Sequence, residues 1–187
     1  MLNLVIATDI FGRCEALQRF ITDVERAGAT VIIVDPYQSE HQPAMSEQQA
    51  YTNYVAQCGH DMYTERVSKA LHAKVTLAIG FSAGATALWR AMAKTKNASV
   101  RKLVLFYPGQ LHLHLAKTPE VPTELIFGAQ EYHFDVDEVL VKLQSKTGIS
   151  ARKVAQQHGF MNSASLAFNE RAYQDGLNRV LQVIANL

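Results

Sequence analysis

Apolar residues gather along this chain in short blocks. Leu2 to Thr8, Thr30 to Val34, Val75 to Ile79, Lys102 to Tyr107, Glu124 to Phe127 and Ile149 to Ala155 are rich in aliphatic and β-branched side chains. Most of these blocks are nearly continuous in apolarity rather than alternating, which is how strands buried on both faces read. Between them the period changes. Leu17, Phe20, Ile21, Val24 and Ala27 recur at helical spacing and stop at Gly28, a natural C-terminal stop. Ser46 and Gln49 have capping-box spacing at the head of another helix. Leu166, Tyr173, Leu177, Val180, Leu181 and Ile184 predict a closing amphipathic helix that covers one sheet face. The order βαβαβαβ–βαβα predicts an α/β fold: one mainly parallel sheet with helices on both faces and right-handed crossovers.

Length and composition then narrow the class. The 187 residues suit one domain, spanning 1–187, and contain neither repeats nor a low-complexity linker. With 18 basic and 17 acidic side chains and no basic cluster, the chain lacks the electrostatic footprint of a nucleic-acid binder. Cys14 and Cys58 stand alone without C-x-x-C spacing, as reduced thiols of a cytoplasmic protein would. The opening MLNLVIATD has no basic n-region, and no apolar run reaches membrane-spanning length. A soluble cytoplasmic protein, with no membrane or nucleic-acid partner, is therefore expected.

In a parallel sheet with helices on both faces, ligands bind beyond the carboxyl ends of the strands. The residues just past the strands are therefore the informative ones. After the first strand comes Asp9-Ile10-Phe11-Gly12, with too few glycines for a dinucleotide fingerprint. The third strand delivers Gly80-Phe81-Ser82-Ala83-Gly84, the fifth Gly128-Ala129-Gln130-Glu131, and the sixth Gln157-His158-Gly159-Phe160. A serine, a carboxylate and a histidine thus follow in that order, each at the end of a different strand. Glycines flanking a serine in a strand–turn–helix context let strand and helix approach closely around a strained nucleophile. His158 would supply the base that a serine hydroxyl needs, and Glu131 would orient its ring. Asp135 and Asp137, the other carboxylates nearby, suit the first turn of a helix reading Val136, Val139, Leu140 and Leu143.

At these residues the chain resembles the dienelactone hydrolase family of the α/β-hydrolase superfamily. The segment IATDIFGRCEALQRFITDVERAGATVIIVDPY resembles the family's first strand, E-I-F-G-type oxyanion loop, first helix and second strand ending in D-x-Y. AIGFSAG falls at the nucleophile elbow, TELIFGAQE at the acid strand and HGFMN at the histidine loop. The resemblance implies a minimal, about six-stranded α/β-hydrolase sheet, lacking the superfamily's two leading strands. One sheet edge would be left exposed or covered by a partner, with a homodimer open. It also implies oxyanion donors at the backbone N–H groups of Ile10 and Ala83, and a pocket that includes Asp9 and Phe11. Two departures bear on activity. The namesake enzymes use a cysteine nucleophile where Ser82 stands, as many esterase relatives do, and their acid is usually Asp where Glu131 stands. The expected activity is serine hydrolysis of a small carboxylic ester or related acyl bond, needing no cofactor and no metal. A non-catalytic ligand-binding protein on the same scaffold, and an acyltransferase, stay open as alternatives.

The remaining features fit plainer roles. His112 and His114 in LHLHLA have no third metal ligand in view and read as the polar face of a short extended segment. Trp89 reads as core. Met45, Tyr51, Tyr54, Met62 and Tyr63, within the long 40–74 segment, fit either a pocket wall or simple helix packing.

Overall fold

The computed structural model describes residues 2–38, 40–95, 99–131 and 133–187. Its strands are β1 (Leu2–Ala7), β2 (Ala29–Val34), β3 (Leu77–Phe81), β4 (Lys102–Phe106), β5 (Thr123–Gln130) and β6 (Ile149–Gln157). They form a six-stranded sheet in the order β2-β1-β3-β4-β5-β6, with every neighbouring pair parallel. The helices are α1 (Glu15–Arg26), α2 (Glu47–Gln57), α3 (Gly59–Ala70), α4 (Ala83–Met92), α5 (Val136–Gln144) and α6 (Glu170–Ala185). The sheet matches the expected α/β class, and each expected strand is present with small shifts at its ends.

The central strands read as continuous apolar runs because both of their faces are covered. Leu4, Val5, Ile6 and Ala7 are all fully buried, yet they belong alternately to two cores. Val5 and Ala7 pack with Leu103, Leu105 and Phe127 under α3, α4 and α5. Leu4 and Ile6 pack with Ile79, Val104 and Phe106 under α1 and α6. Burying one such aliphatic side chain stabilises the fold by about 1.5–3 kcal/mol, so the paired cores dominate the stability. β6 is different. It has β5 on one side only, and its residues alternate between half-buried and exposed, as an edge strand's do.

Local signals set the helix ends. Gly28 adopts φ +89° just after α1, the left-handed conformation that glycine permits. Ser46 caps α2 in a complete capping box with Gln49. Asp135 caps α5 by accepting from the backbone N–H groups of Asp137 (2.8 Å) and Glu138 (3.3 Å). The closing helix starts later than its apolar period suggests. Asn169 caps α6 by accepting from Ala172 N–H at 3.0 Å, so Leu166 lies outside the helix and is 98% exposed. The LHLH stretch is also corrected: Leu111–His114 form a 3-10 turn rather than an extended segment. Trp89, fully buried on α4, explains the turn. Its indole N–H donates to the carbonyls of His114 (3.0 Å) and Lys117 (3.1 Å), drawing that backbone onto the helix.

Helix α4 approaches the sheet at its first turn, where a Cβ on Gly84 would overlap the carbonyl oxygens of Ala7 and Thr8. Backbone on both sides leaves nothing flexible to yield. Gly84→Ala should therefore destabilise the protein by about 3 kcal/mol or more, as severe overpacking does. Gly148 (φ +77°) has open space around it, so Gly148→Ala should cost only the left-handed strain, about 1–2 kcal/mol. Urea unfolding midpoints of the two variants check this ordering.

Candidate active site

The strand order reverses direction between β1 and β3, and the site lies beyond their carboxyl ends. Ser82 occupies the turn between β3 and α4 with φ 49° and ψ −115°, an unfavourable conformation for a side chain-bearing residue. The turn is possible because Gly80 and Gly84 flank it. A Cβ on Gly80 would sit 2.5 Å from the Cα of Ala85. Ser82 N–H donates to Phe106 O on β4 at 3.0 Å, and Thr86 N–H donates back to Ser82 O at 3.1 Å, which hold the strained residue in place.

The serine hydroxyl lies 2.8 Å from Nε2 of His158, which enters from the loop after β6. The other ring nitrogen, Nδ1, contacts Oε2 of Glu131, just past β5. A carboxylate only accepts, so Nδ1 carries the proton, Nε2 accepts, and the Ser82 O–H donates. The Glu131 side chain is buried, and its second oxygen has no hydrogen-bond partner among the described residues, so its one hydrogen bond goes to the imidazole. Asp135 and Asp137 are employed elsewhere: Asp135 caps α5, and Asp137 pairs with Lys153 at 2.6 Å. Ser82, Glu131 and His158 are thus brought together as the chain order suggested.

The loop after β1 is held from several sides. Asp9 O accepts from Thr8 Oγ1 (3.0 Å) and Gly12 N–H (3.1 Å), fixing the peptide whose other end is the N–H of Ile10. Ile10 O accepts from Tyr37 Oη at 2.6 Å, and the same phenol donates to Ala50 O of α2 at 3.1 Å. Arg13 Nε donates to Asp35 Oδ2 at 2.9 Å, and Asp35 Oδ1 accepts from Tyr37 N–H at 2.7 Å. These contacts explain the spacing of D-I-F-G-R and D-P-Y. Gly12 takes φ +65°, and a Cβ there would meet the Tyr37 ring at 2.6 Å.

Asp9 lines the cavity but is fully engaged. Its Oδ1 accepts from Phe11 N–H (3.0 Å) and its Oδ2 from Asn162 Nδ2 (2.7 Å). Burial raises its carboxyl above the ordinary value, partly offset by the hydrogen bonds from Asn162 and Phe11. The wall of the 440 Å³ cavity also carries Ile10, Phe11, Ser82, Ala83, Glu131 and His158, a volume suited to a small organic ligand. Tyr51 and Tyr54 line it from α2, whereas Tyr63 packs in the core and donates to Thr8 O (2.8 Å) and Val34 O (2.9 Å). The long crossover therefore does both jobs.

A family model, the dienelactone hydrolase family, matches residues 1–187. The chain belongs to this family. A candidate dienelactone hydrolase of Klebsiella pneumoniae subsp. pneumoniae superposes with a TM-score of 0.76 at 17% identity, covering 99% of this chain and 87% of that one. A dienelactone hydrolase-like promiscuous phosphotriesterase from metagenomic libraries gives 0.73 at 14% identity, covering 100% and 87%. A candidate α/β-superfamily hydrolase of Xanthomonas campestris gives 0.69 at 14%, covering 100% of both chains. Comparison with curated proteins gives no match. The fold is that of the α/β hydrolases, and the family makes this dienelactone hydrolase relative a hydrolase of that type.

Sequence reasoning passed over two contributors. Asn162 lies in HGFMN, yet nothing in the pattern pairs an amide with a carboxylate 153 positions away. The loop after β4 was also unmarked. Tyr107 (φ 35°) and Gln110 (φ 59°) line the same cavity as Ser82, so three of the four non-glycine positive-φ residues among those described meet at this site. Gly109 faces His158 Cε1 and Ser82 Oγ, where a Cβ would stand 3.7 Å from each. The histidines His112 and His114 belong to no metal-binding cluster among the described residues.

Asp9 makes a pH prediction. Because burial raises its folded-state value above the ordinary 3.8, the folded protein holds this proton more tightly than the unfolded chain. Stability contributed by Asp9 is thus fully present below that ordinary value and declines as pH rises through the folded one. The difference in unfolding free energy, wild type minus Asp9→Asn, should fall with rising pH from about 3.8 upward. Paired urea melts across acid pH check the slope, and a rising difference would contradict the assignment.

Proposed function

We propose that this protein hydrolyses a small carboxylic ester, or a related acyl bond, through an acyl-enzyme on Ser82. The observation that carries the reading is the contact of Ser82 Oγ with His158 Nε2 at 2.8 Å, with Nδ1 of the same ring on Glu131. Ser82 attacks the acyl carbon while His158 takes its proton, and Glu131 steadies the imidazolium that forms. Negative charge on the acyl oxygen falls between the N–H groups of Ile10 and Ala83. Ala83 opens α4, where the helix dipole favours an anion, and the peptide bearing the Ile10 N–H is fixed by Thr8 and Gly12. The imidazolium then protonates the leaving alcohol. Water, deprotonated by the same imidazole, attacks the acyl carbon and releases the acid, regenerating Ser82. The imidazolium returns that proton to Ser82 Oγ as the acyl bond breaks, so the steps consume one water and the ester.

The test is a comparison of variants. Ser82→Ala should lose nearly all esterase activity, leaving roughly the 10³–10⁴-fold advantage over water that binding and oxyanion donors supply. Glu131→Gln should fold normally but lower kcat by up to about 10⁴-fold. Asp135→Asn should retain activity and lose about 0.5–2 kcal/mol of stability through its weakened cap. Intact-mass analysis after fluorophosphonate treatment should show one adduct on Ser82. An active Ser82→Ala protein, or an unlabelled Ser82, would overturn the reading.

A further inference from the structure

The fixed charges on the cavity wall have one sign, and the titratable bases there are the imidazoles of His60, His133 and His158. Asp9, Glu47 and Glu131 all line it, and among the described residues no lysine or arginine does. What holds these carboxylates is a set of groups without fixed positive charge. Asp9 is held by an amide side chain and a backbone N–H, and Glu47 Oε1 accepts from the buried Ser165 hydroxyl at 2.6 Å. Glu131 is held by the imidazole of His158. Uncharged donors stabilise an anion without cancelling its field. His60, on the same wall, is held below its ordinary value by burial and by Arg90, which favours the neutral ring. Its Nδ1 lies 2.9 Å from Tyr54 Oη. Two nearby arginines are spent elsewhere: Arg90 on His60 O (3.1 Å) and Asp61 (2.5 Å), and Arg66 on Pro36 O (2.7 Å). The rest of the wall includes the rings of Phe11, Tyr51, Tyr54 and Phe134.

We propose that the site selects esters whose acyl and alcohol parts are uncharged and apolar, and rejects substrates bearing a carboxylate or phosphate; this rests on the hydrolytic reading of Ser82. A second anion entering the cavity would lose its water, gain no lysine or arginine partner among the described residues and meet up to three carboxylates. An apolar group of the same size would instead exchange water for aromatic surface.

Two arms test this at pH 8. In the first, 4-nitrophenyl valerate is compared with mono(4-nitrophenyl) glutarate, in which a carboxylate replaces the terminal methyl. The neutral ester should have a kcat/KM higher on the order of 100-fold, the scale that like-charge juxtaposition produces. The methyl ester of the glutarate should recover most of the loss. Glu47→Gln keeps an acceptor for Ser165 and removes one charge, so it should narrow the ratio several-fold. In the second arm, Ser82→Ala protein is titrated with valeranilide and with glutaranilic acid, amide analogues that need no turnover. The neutral anilide should bind at least about tenfold more tightly. Equal kcat/KM values within about threefold, with Ser82 labelled by fluorophosphonate, would overturn the charge selection and leave the hydrolytic reading standing. Preferential binding of valeranilide with neither ester hydrolysed would do the reverse.

Discussion

The site depends on how closely helix α4 comes to the sheet. Gly84 lets the helix's first turn rest on the backbone carbonyls of Ala7 and Thr8, and Gly80 lets the strand pass under Ala85. Larger residues at either place would push the helix outward. The start of α4 would then shift relative to the cavity that Ala83 lines, and Ser82 would no longer stand beside His158 at 2.8 Å. The strained backbone of Ser82 follows from the same approach, since the chain must reverse within one residue to pass from strand to helix. Each strained residue costs about 1–3 kcal/mol, and Tyr107 and Gln110 add to it. The two cores on either side of the sheet carry that cost.

The fold was legible because strands buried on both faces leave a coarse signal. Leu4 to Ala7 form one apolar run only because alternate residues feed separate cores. Ser82, Glu131 and His158 were legible for a related reason: in a parallel sheet every strand ends on the same side, so residues just past different strands gather. What was not legible depended on contacts between distant segments. Leu166 fits the helical period of α6, but Asn169 caps the helix and ends its reach. The LHLH alternation looks extended, yet the Trp89 indole gathers that backbone into a turn. Asn162 offered no local pattern, because its meaning comes from Asp9 across the site.

Asp9 and the proposed oxyanion donors, the N–H groups of Ile10 and Ala83, pull in opposite directions, since a carboxylate beside a second anion is unfavourable. The structure resolves this by committing both Asp9 oxygens to Phe11 N–H and Asn162 Nδ2, away from Ser82's immediate partners. The same bond ties the loop after β1 to the loop carrying His158. The Ile10 peptide and the His158 imidazole are therefore positioned against each other rather than separately. A hydrogen bond to a charged acceptor contributes about 1.5–3 kcal/mol, enough to hold two short loops in register.

Tyr37 gives the molecule a mechanical character. Its single hydroxyl bridges Ile10 O and Ala50 O, while Glu47 reaches across to Ser165, so α2 is fastened both to the loop after β1 and to the loop that carries His158. Movement of α2 would pull on the Ile10–Phe11 peptide, the neighbour of the one that carries the Ile10 N–H. Tyr51, exposed at the rim of the cavity, can change rotamer on the picosecond-to-nanosecond timescale without moving that backbone. The width of the opening is then set by side-chain rotamers on a backbone frame that α2 and the two loops hold in common.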